Sequence, residues 1–195
     1  MAQNGFLLVT MQPPPAFEEE FNAWYDAEHI PERLSVPGFL TGLRYVCLDG
    51  HPRYLAMYDL QSFDVLSSAA YNAVGYDRAS PWTKRVTGRV KVWRSAGHQV
   101  YPGTAVTGSC ARVRVLRFSG LKSQDQAAIV AGAREAFEGR HDVSQMRVLA
   151  HEVGGGVIDY VCFVEMRQAP SGPLDLKPFG RHAGALDLDN LYAPY

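Results

Sequence analysis

One order of elements occurs twice in this chain, once on each side of the stretch Tyr101 to Gly108, which holds one proline and two glycines. On the near side, Gly5 to Met11 carries an apolar run, and Pro13, Pro14 and Pro15 stop it as they would stop a strand. The spacing of Phe17, Phe21 and Trp24 predicts a helix from Phe17 to about Glu32, with Glu18, Glu19 and Glu20 in the first turn, where the helix dipole favours acids. Phe39 to Leu48 and Arg53 to Leu60 predict two strands around the turn Asp49 to Pro52. Ser62 to about Arg85 reads as helix broken near Gly75 and Pro81, and Arg89 to Ser95 as strand. On the far side, Ala111 to Phe118 predicts a strand. A helix follows from Ser123, its expected cap, to about Glu138, with the stripe Val130, Ala133 and Phe137. Met146 to Val153 and Val157 to Met166 predict strands around three glycines. The proline-rich tail from Ala169 holds a short helix near Pro178 to Ala185 and a last strand near Asn190.

Strand, helix, strand, strand, helix, strand is the ferredoxin-like unit. The expected fold is therefore α+β: two ferredoxin-like repeats (βαββαβ) in one chain, over residues 1–103 and 109–195. Helices cover one face of such a sheet and leave the other apolar, so it must find a partner. Two antiparallel sheets packed face to face as an α+β barrel solve this, and the tandem order supplies both from one chain.

The composition permits a core of useful size, since 47% of the 195 residues are apolar and 20% are charged. A formal net charge of -1, without a Lys/Arg cluster, argues against nucleic acid as a partner. No stretch approaches the length of a membrane span, and the N-terminal apolar run reads as a first strand, not a targeting segment. Cys47, Cys110 and Cys162 are odd in number and lie in or beside strands, which suits free thiols in a reducing cytoplasm. The six histidines show no metal-binding spacing and the cysteines no C-x-x-C, so no metal is expected.

The densest chemistry lies in "WYDAEHIPERLSVPGF", residues 24–39. His29 stands four residues after Tyr25 and shares its helix face, together with Phe21. An imidazole exchanges a proton near neutral pH with little tuning. Asp26, three residues earlier, is placed to hold the ring in one tautomer. The plainer role for His29 is a cation at a helix C-terminus, with Pro31 just beyond it. Trp24 and Tyr25 are adjacent and point to different faces, one into the core and the other towards a pocket. Glu28 and Glu32 read as solvated, with Arg33 paired to one of them. On the next strand Arg44 and Tyr45 alternate, one facing the helices and the other the barrel. Tyr58 lies on the third strand.

A helix carrying "WYDAEHIPERL", then "PGF" and a strand with "RY", then "YLAMYDLQSFDVL" and "SPW", resembles the EthD-like families of the dimeric α+β barrel superfamily. The match covers about residues 5–100 by motif and the remainder by element order. It implies a cofactor-independent enzyme acting on a hydrophobic, aromatic or carbonyl-bearing small molecule, by proton transfer (cyclase, isomerase, lyase or decarboxylase) or cofactor-free oxygenation. His29, Tyr25 and Asp26 would be catalytic, and Trp24, Arg44, Tyr45 and Tyr58 would bind substrate. It also implies a homodimer, and a proline-rich tail with no evident role inside one protomer points the same way. The alternative is a non-catalytic binding or accessory protein of a catabolic pathway. A haem protein would need an axial ligand that six histidines do not single out. The second half lacks the motif, and His141, near the matching place, reads as a surface turn residue.

Overall fold

The computed structural model describes residues 3–195, and these form one closed antiparallel barrel of eight strands with helices packed on its outside. The strands are β1 (Gly5–Gln12), β2 (Leu43–Cys47), β3 (Tyr54–Leu60), β4 (Lys91–Tyr101), β5 (Arg112–Leu121), β6 (Val143–Gly154), β7 (Val157–Met166) and β8 (Leu186–Pro194). They close in the order β1-β3-β2-β8-β5-β7-β6-β4. Each half thus contributes four neighbouring strands in a matching order, β4-β1-β3-β2 and β8-β5-β7-β6. The helices are α1 (Glu18–Trp24), α2 (Ile30–Leu34), α3 (Ala69–Ala73), α4 (Pro81–Thr87) and α5 (Gln126–Phe137).

Two expectations change in detail. The sheets do not merely face each other: hydrogen-bonded seams between β2 and β8 and between β4 and β6 join them into one surface. Closure removes the strand edges that two open sheets would leave unpaired. The tail also has a role inside the protomer. Its 3₁₀ stretch Lys177–Ala185 packs beside α5, and β8 completes the barrel between β2 and β5. The case for a homodimer built on an idle tail therefore falls.

The side-chain period of two explains why β1 reads as an unbroken apolar run. Phe6 and Leu8 enter the barrel interior, where they meet Tyr45, Leu55 and Met57 of the first half and Val113, Leu149 and Phe163 of the second. Leu7, Val9 and Met11 face outward and pack with Phe21, Trp24 and Tyr25. In the second half the outward layer holds Leu116, Phe118, Ile129, Phe137 and Phe179. On α5 the buried stripe runs through Ile129, Ala133 and Phe137, so Ile129 takes the place expected for Val130. The first turn is tied by the Asp125 carboxylate, which accepts from the Lys122 N–H, and no side-chain bond caps α5 from the expected Ser123.

A buried charge cluster ties the halves together. Arg147 on β6 donates to Asp59 on β3 at 2.6 Å and to Glu165 on β7 at 3.0 Å. The linker joins in, because the Thr107 N–H donates to Asp59 and the Gly108 N–H to Glu165. Cys47 and Cys162 are buried free thiols and Cys110 is half-buried. Among the described residues no helix is long and apolar enough to cross a membrane.

Candidate active site

The helix on the first half does not end at His29. Tyr25–His29 forms a π-helical turn between α1 and α2, with the Ile30 N–H donating to the Tyr25 carbonyl five residues back. Pro31 supplies the local reason: it has no N–H, and its ring crowds the carbonyl four residues earlier. One wider turn absorbs that conflict, and the helix continues to Leu34. His29 is therefore inside a helix, so its role as a C-terminal cation is overturned.

The wide turn also explains a second departure. Tyr25 and His29 meet at 4.9 Å between ring centroids, and Trp24 and His29 at 4.4 Å. In a regular α-helix the neighbours Trp24 and Tyr25 would diverge. Here both are buried, and both touch the imidazole. Phe21 continues the stripe, with its ring centroid 5.3 Å from that of Tyr25.

These side chains form one wall of a cavity of about 400 Å³ between the helix, the outer face of the sheet, and the segment from Tyr71 to Thr87. That volume lies within the range of small-molecule sites. Leu7, Val9 and Met11 form the floor, and Trp24, Tyr25, His29 and Tyr58 line it. Tyr58 donates to the Tyr25 hydroxyl at 3.5 Å. Burial raises both phenols, Tyr25 to about 12 and Tyr58 well above the ordinary value, so both carry their protons at neutral pH. Burial also pushes the half-buried His29 down, to about 3, and the nearby charges of Arg33, Arg94 and Arg44 act in the same direction. Its Nδ1 is buried without a hydrogen-bond partner.

Three expected site residues stand elsewhere. The exposed Asp26 pairs with Arg44 at 2.5 Å and leaves His29 alone. Arg44 faces the helix, beneath the rings of Tyr25 and Tyr195, and is not on the cavity wall. It braces the helix against β2. Tyr45, its alternate, points into the barrel interior against Phe163. Glu28, expected to be solvated, accepts from Ser80 and Thr83 of the α4 N-terminus, while Trp24 Nε1 donates to Thr83 at 2.9 Å. Through Thr83, α4 is anchored to the aromatic wall.

Sequence reading missed Arg33, Tyr71 and Arg94 as lining residues. Arg33 had a signal, four residues after His29 on a helix, but its charge suggested a surface pair. Tyr71 and Arg94 reach the site only through the fold. A second cavity, of about 330 Å³, lies at a barrel mouth and is lined by Thr10, His51, Trp93 and Arg117 among others. Arg117 is closed on Asp187 there, and none of the expected site residues reaches it. In the second half, the space matching the first cavity is packed with Phe118, Phe137 and Phe179, and His141 is exposed.

Among the described residues no group of three or more His, Cys, Asp or Glu gathers to hold a metal ion. As a haem ligand His29 fits poorly. An iron-bound imidazole is held by a partner on its other nitrogen, and Nδ1 has none because Asp26 is tied to Arg44. His182 has such a partner in Asp125, at 3.0 Å, but lines neither cavity.

No protein-family model and no curated protein matches the chain. Solved structures do. A chlorite dismutase variant from Candidatus Nitrospira defluvii in complex with cyanide aligns with a TM-score of 0.59 at 12% identity, over 98% of this chain and 90% of that one. A proposed monooxygenase from Lactobacillus acidophilus NCFM aligns with a TM-score of 0.56 at 8% identity, over 99% and 93%. The encapsulated DyP-type peroxidase from Mycobacterium smegmatis gives 0.54 at 10%, over 100% and 93%. At these identities the likeness is one of fold alone.

Proposed function

We propose that this chain is an enzyme that moves a proton on a hydrophobic, aromatic or carbonyl-bearing small molecule, with His29 as the general acid/base. The observation that carries this reading is the placement of His29. It lies on the wall of an apolar cavity, set there by a π-helical turn, with no protein group holding its Nδ1. Such turns are rare and recur at functional sites. A neutral imidazole accepts a proton, and the protonated phenols of Tyr25 and Tyr58 are donors for an oxygen that gains negative charge as a carbon–hydrogen or carbon–carbon bond breaks. Trp24 and the β1 side chains exclude water from the apolar body of the substrate. Cyclisation, isomerisation, decarboxylation and lyase cleavage share this step. Cofactor-free oxygenation would use the same base to form a carbanion. The EthD-like motif and two ferredoxin-like repeats in tandem, one carrying the site and one supporting it, are part of the same reading.

One observation favours a non-catalytic binding protein instead: an imidazole pushed as far down as His29 is a weak base in the empty cavity. The two readings separate by experiment. Wild type and His29→Gln are incubated with a panel of aromatic ketones, β-keto acids and phenols, and products are followed by mass spectrometry. Catalysis predicts conversion of at least one compound by wild type and a rate lower by roughly 10²–10⁴-fold in the variant, with the melting temperature moved by only a few degrees. Compounds that bind without conversion would establish the binding protein. Equal conversion by both proteins would place the chemistry away from His29.

A further inference from the structure

Two arginines on the cavity wall are left without a full counter-charge. Arg33 is 8% exposed. Its sole carboxylate contact is Glu32, at 3.5 Å, and its Nη1 is buried with no hydrogen-bond partner. Arg94, on β4, has no carboxylate at ion-pair distance among the described residues, and donates to the Tyr71 hydroxyl at 3.0 Å. Arg33 lies over the ring of the same Tyr71, 5.3 Å from its centroid. Tyr71 therefore gathers both guanidinium groups at one place, and all three residues line the cavity. None of the other lining residues is an Asp or Glu. Elsewhere on the molecule Arg44, Arg114 and Arg117 are each closed on an aspartate. A guanidinium withdrawn from water without a matched anion is costly. Tyr71 offsets part of that cost for Arg33 through its ring face. An anion arriving with a ligand would offset the rest.

We infer that the cavity takes an organic anion: a molecule with an apolar, aromatic-sized body and one carboxylate, phenolate or enolate oxygen group, the negative end held by Arg33 and Arg94 beside Tyr71 and the body against Trp24, Tyr58 and the β1 side chains. This rests on the reading of the cavity as the substrate site and adds the charge of what enters it. It also accounts for the weak base. The positive field of Arg33 and Arg94 is among the causes that hold His29 down, so a bound anion that offsets this field raises its proton affinity when substrate is present.

The test uses three naphthalene probes of one shape: 2-naphthoate, 2-naphthalenemethanol and 2-naphthylmethylamine, titrated into the full chain by calorimetry. The naphthoate should bind at least about 10-fold more tightly than the alcohol, as expected for charge-assisted hydrogen bonds, and the amine most weakly. Arg94→Gln, at an exposed position where folding is least at risk, should remove most of the preference and leave alcohol binding unchanged. Arg33→Met should do the same from the buried side. In labelled protein, the His29 imidazole titration should move up when naphthoate is bound and stay in place with the alcohol. Equal affinity for naphthoate and alcohol would overturn the anion inference and leave the cavity reading standing. If no probe binds, both fall.

Discussion

Folding strips His29 of its charge, and acid reverses the balance. From its ordinary value of 6.5, burial first and then the field of Arg33, Arg94 and Arg44 bring the imidazole to about 3. Tyr25 and Tyr58, which also face it, stay neutral throughout this range. Between about pH 6.5 and about pH 3 the unfolded chain therefore takes up a proton at His29 that the folded chain does not. Protons then favour the unfolded state, so this contribution to stability is intact above pH 6.5 and declines as the pH falls through that window. Thermal melts at pH 7 and pH 5 should show a smaller acid-side drop for His29→Gln than for wild type. Equal drops would place the acid sensitivity on other groups.

At the scale of elements, the two halves use their helix–sheet space in opposite ways. In the first, the π-helical turn and the broken helices from Phe63 to Thr87 hold a space open. In the second, α5 lies close enough to the Lys177–Ala185 stretch that a Cβ on Gly132 would stand 2.8 Å from both the Phe179 ring and the Pro178 carbonyl oxygen. The carbonyl is backbone and cannot swing aside. Gly132→Ala should therefore destabilise, because overpacking costs about 1–3 kcal/mol against about 1 kcal/mol of helix propensity gained. A lowered denaturation midpoint with unchanged probe binding in the first-half cavity is the expected result. An increased midpoint would mean that the stretch yields and the contact is loose.

For the whole molecule, closure depends on two seams and one buried cluster that spans both halves. Arg147 is fully buried between Asp59 and Glu165, which are 1% exposed each, so its loss leaves two carboxylates together inside the barrel. Removing one partner of a buried ion pair costs about 3–5 kcal/mol, and Arg147→Met should fall in or above that range by chemical denaturation. Neutralising the acids as well, in Asp59→Asn/Arg147→Met/Glu165→Gln, should recover much of the loss, since no uncompensated charge remains. A single variant as stable as wild type would show that the cluster does not bear on closure.

Element order and the stripe Phe21, Tyr25, His29 were legible in the chain because both are local. Strand and helix periods repeat every two and every three or four residues, and a stretch of apolar residues stopped by prolines can be read without knowing what packs on it. The alternation of Arg44 and Tyr45 across β2 followed from the same period, although which faced the barrel did not. The π-helical turn is local too, yet Pro31 alone allowed either an ended helix or a widened one, and packing of Trp24, Tyr25 and His29 on the sheet decided it. The remainder depends on distance in sequence. Arg33 and Arg94 are 61 positions apart, and only the pairing of β4 with β1, on which the helix packs, brings Arg94 beside Arg33. Asp26 was free to turn to His29 until β2 offered it Arg44. A residue's type fixes the charge it carries, but the fold fixes whether that charge meets a partner, and so which charges remain for a ligand.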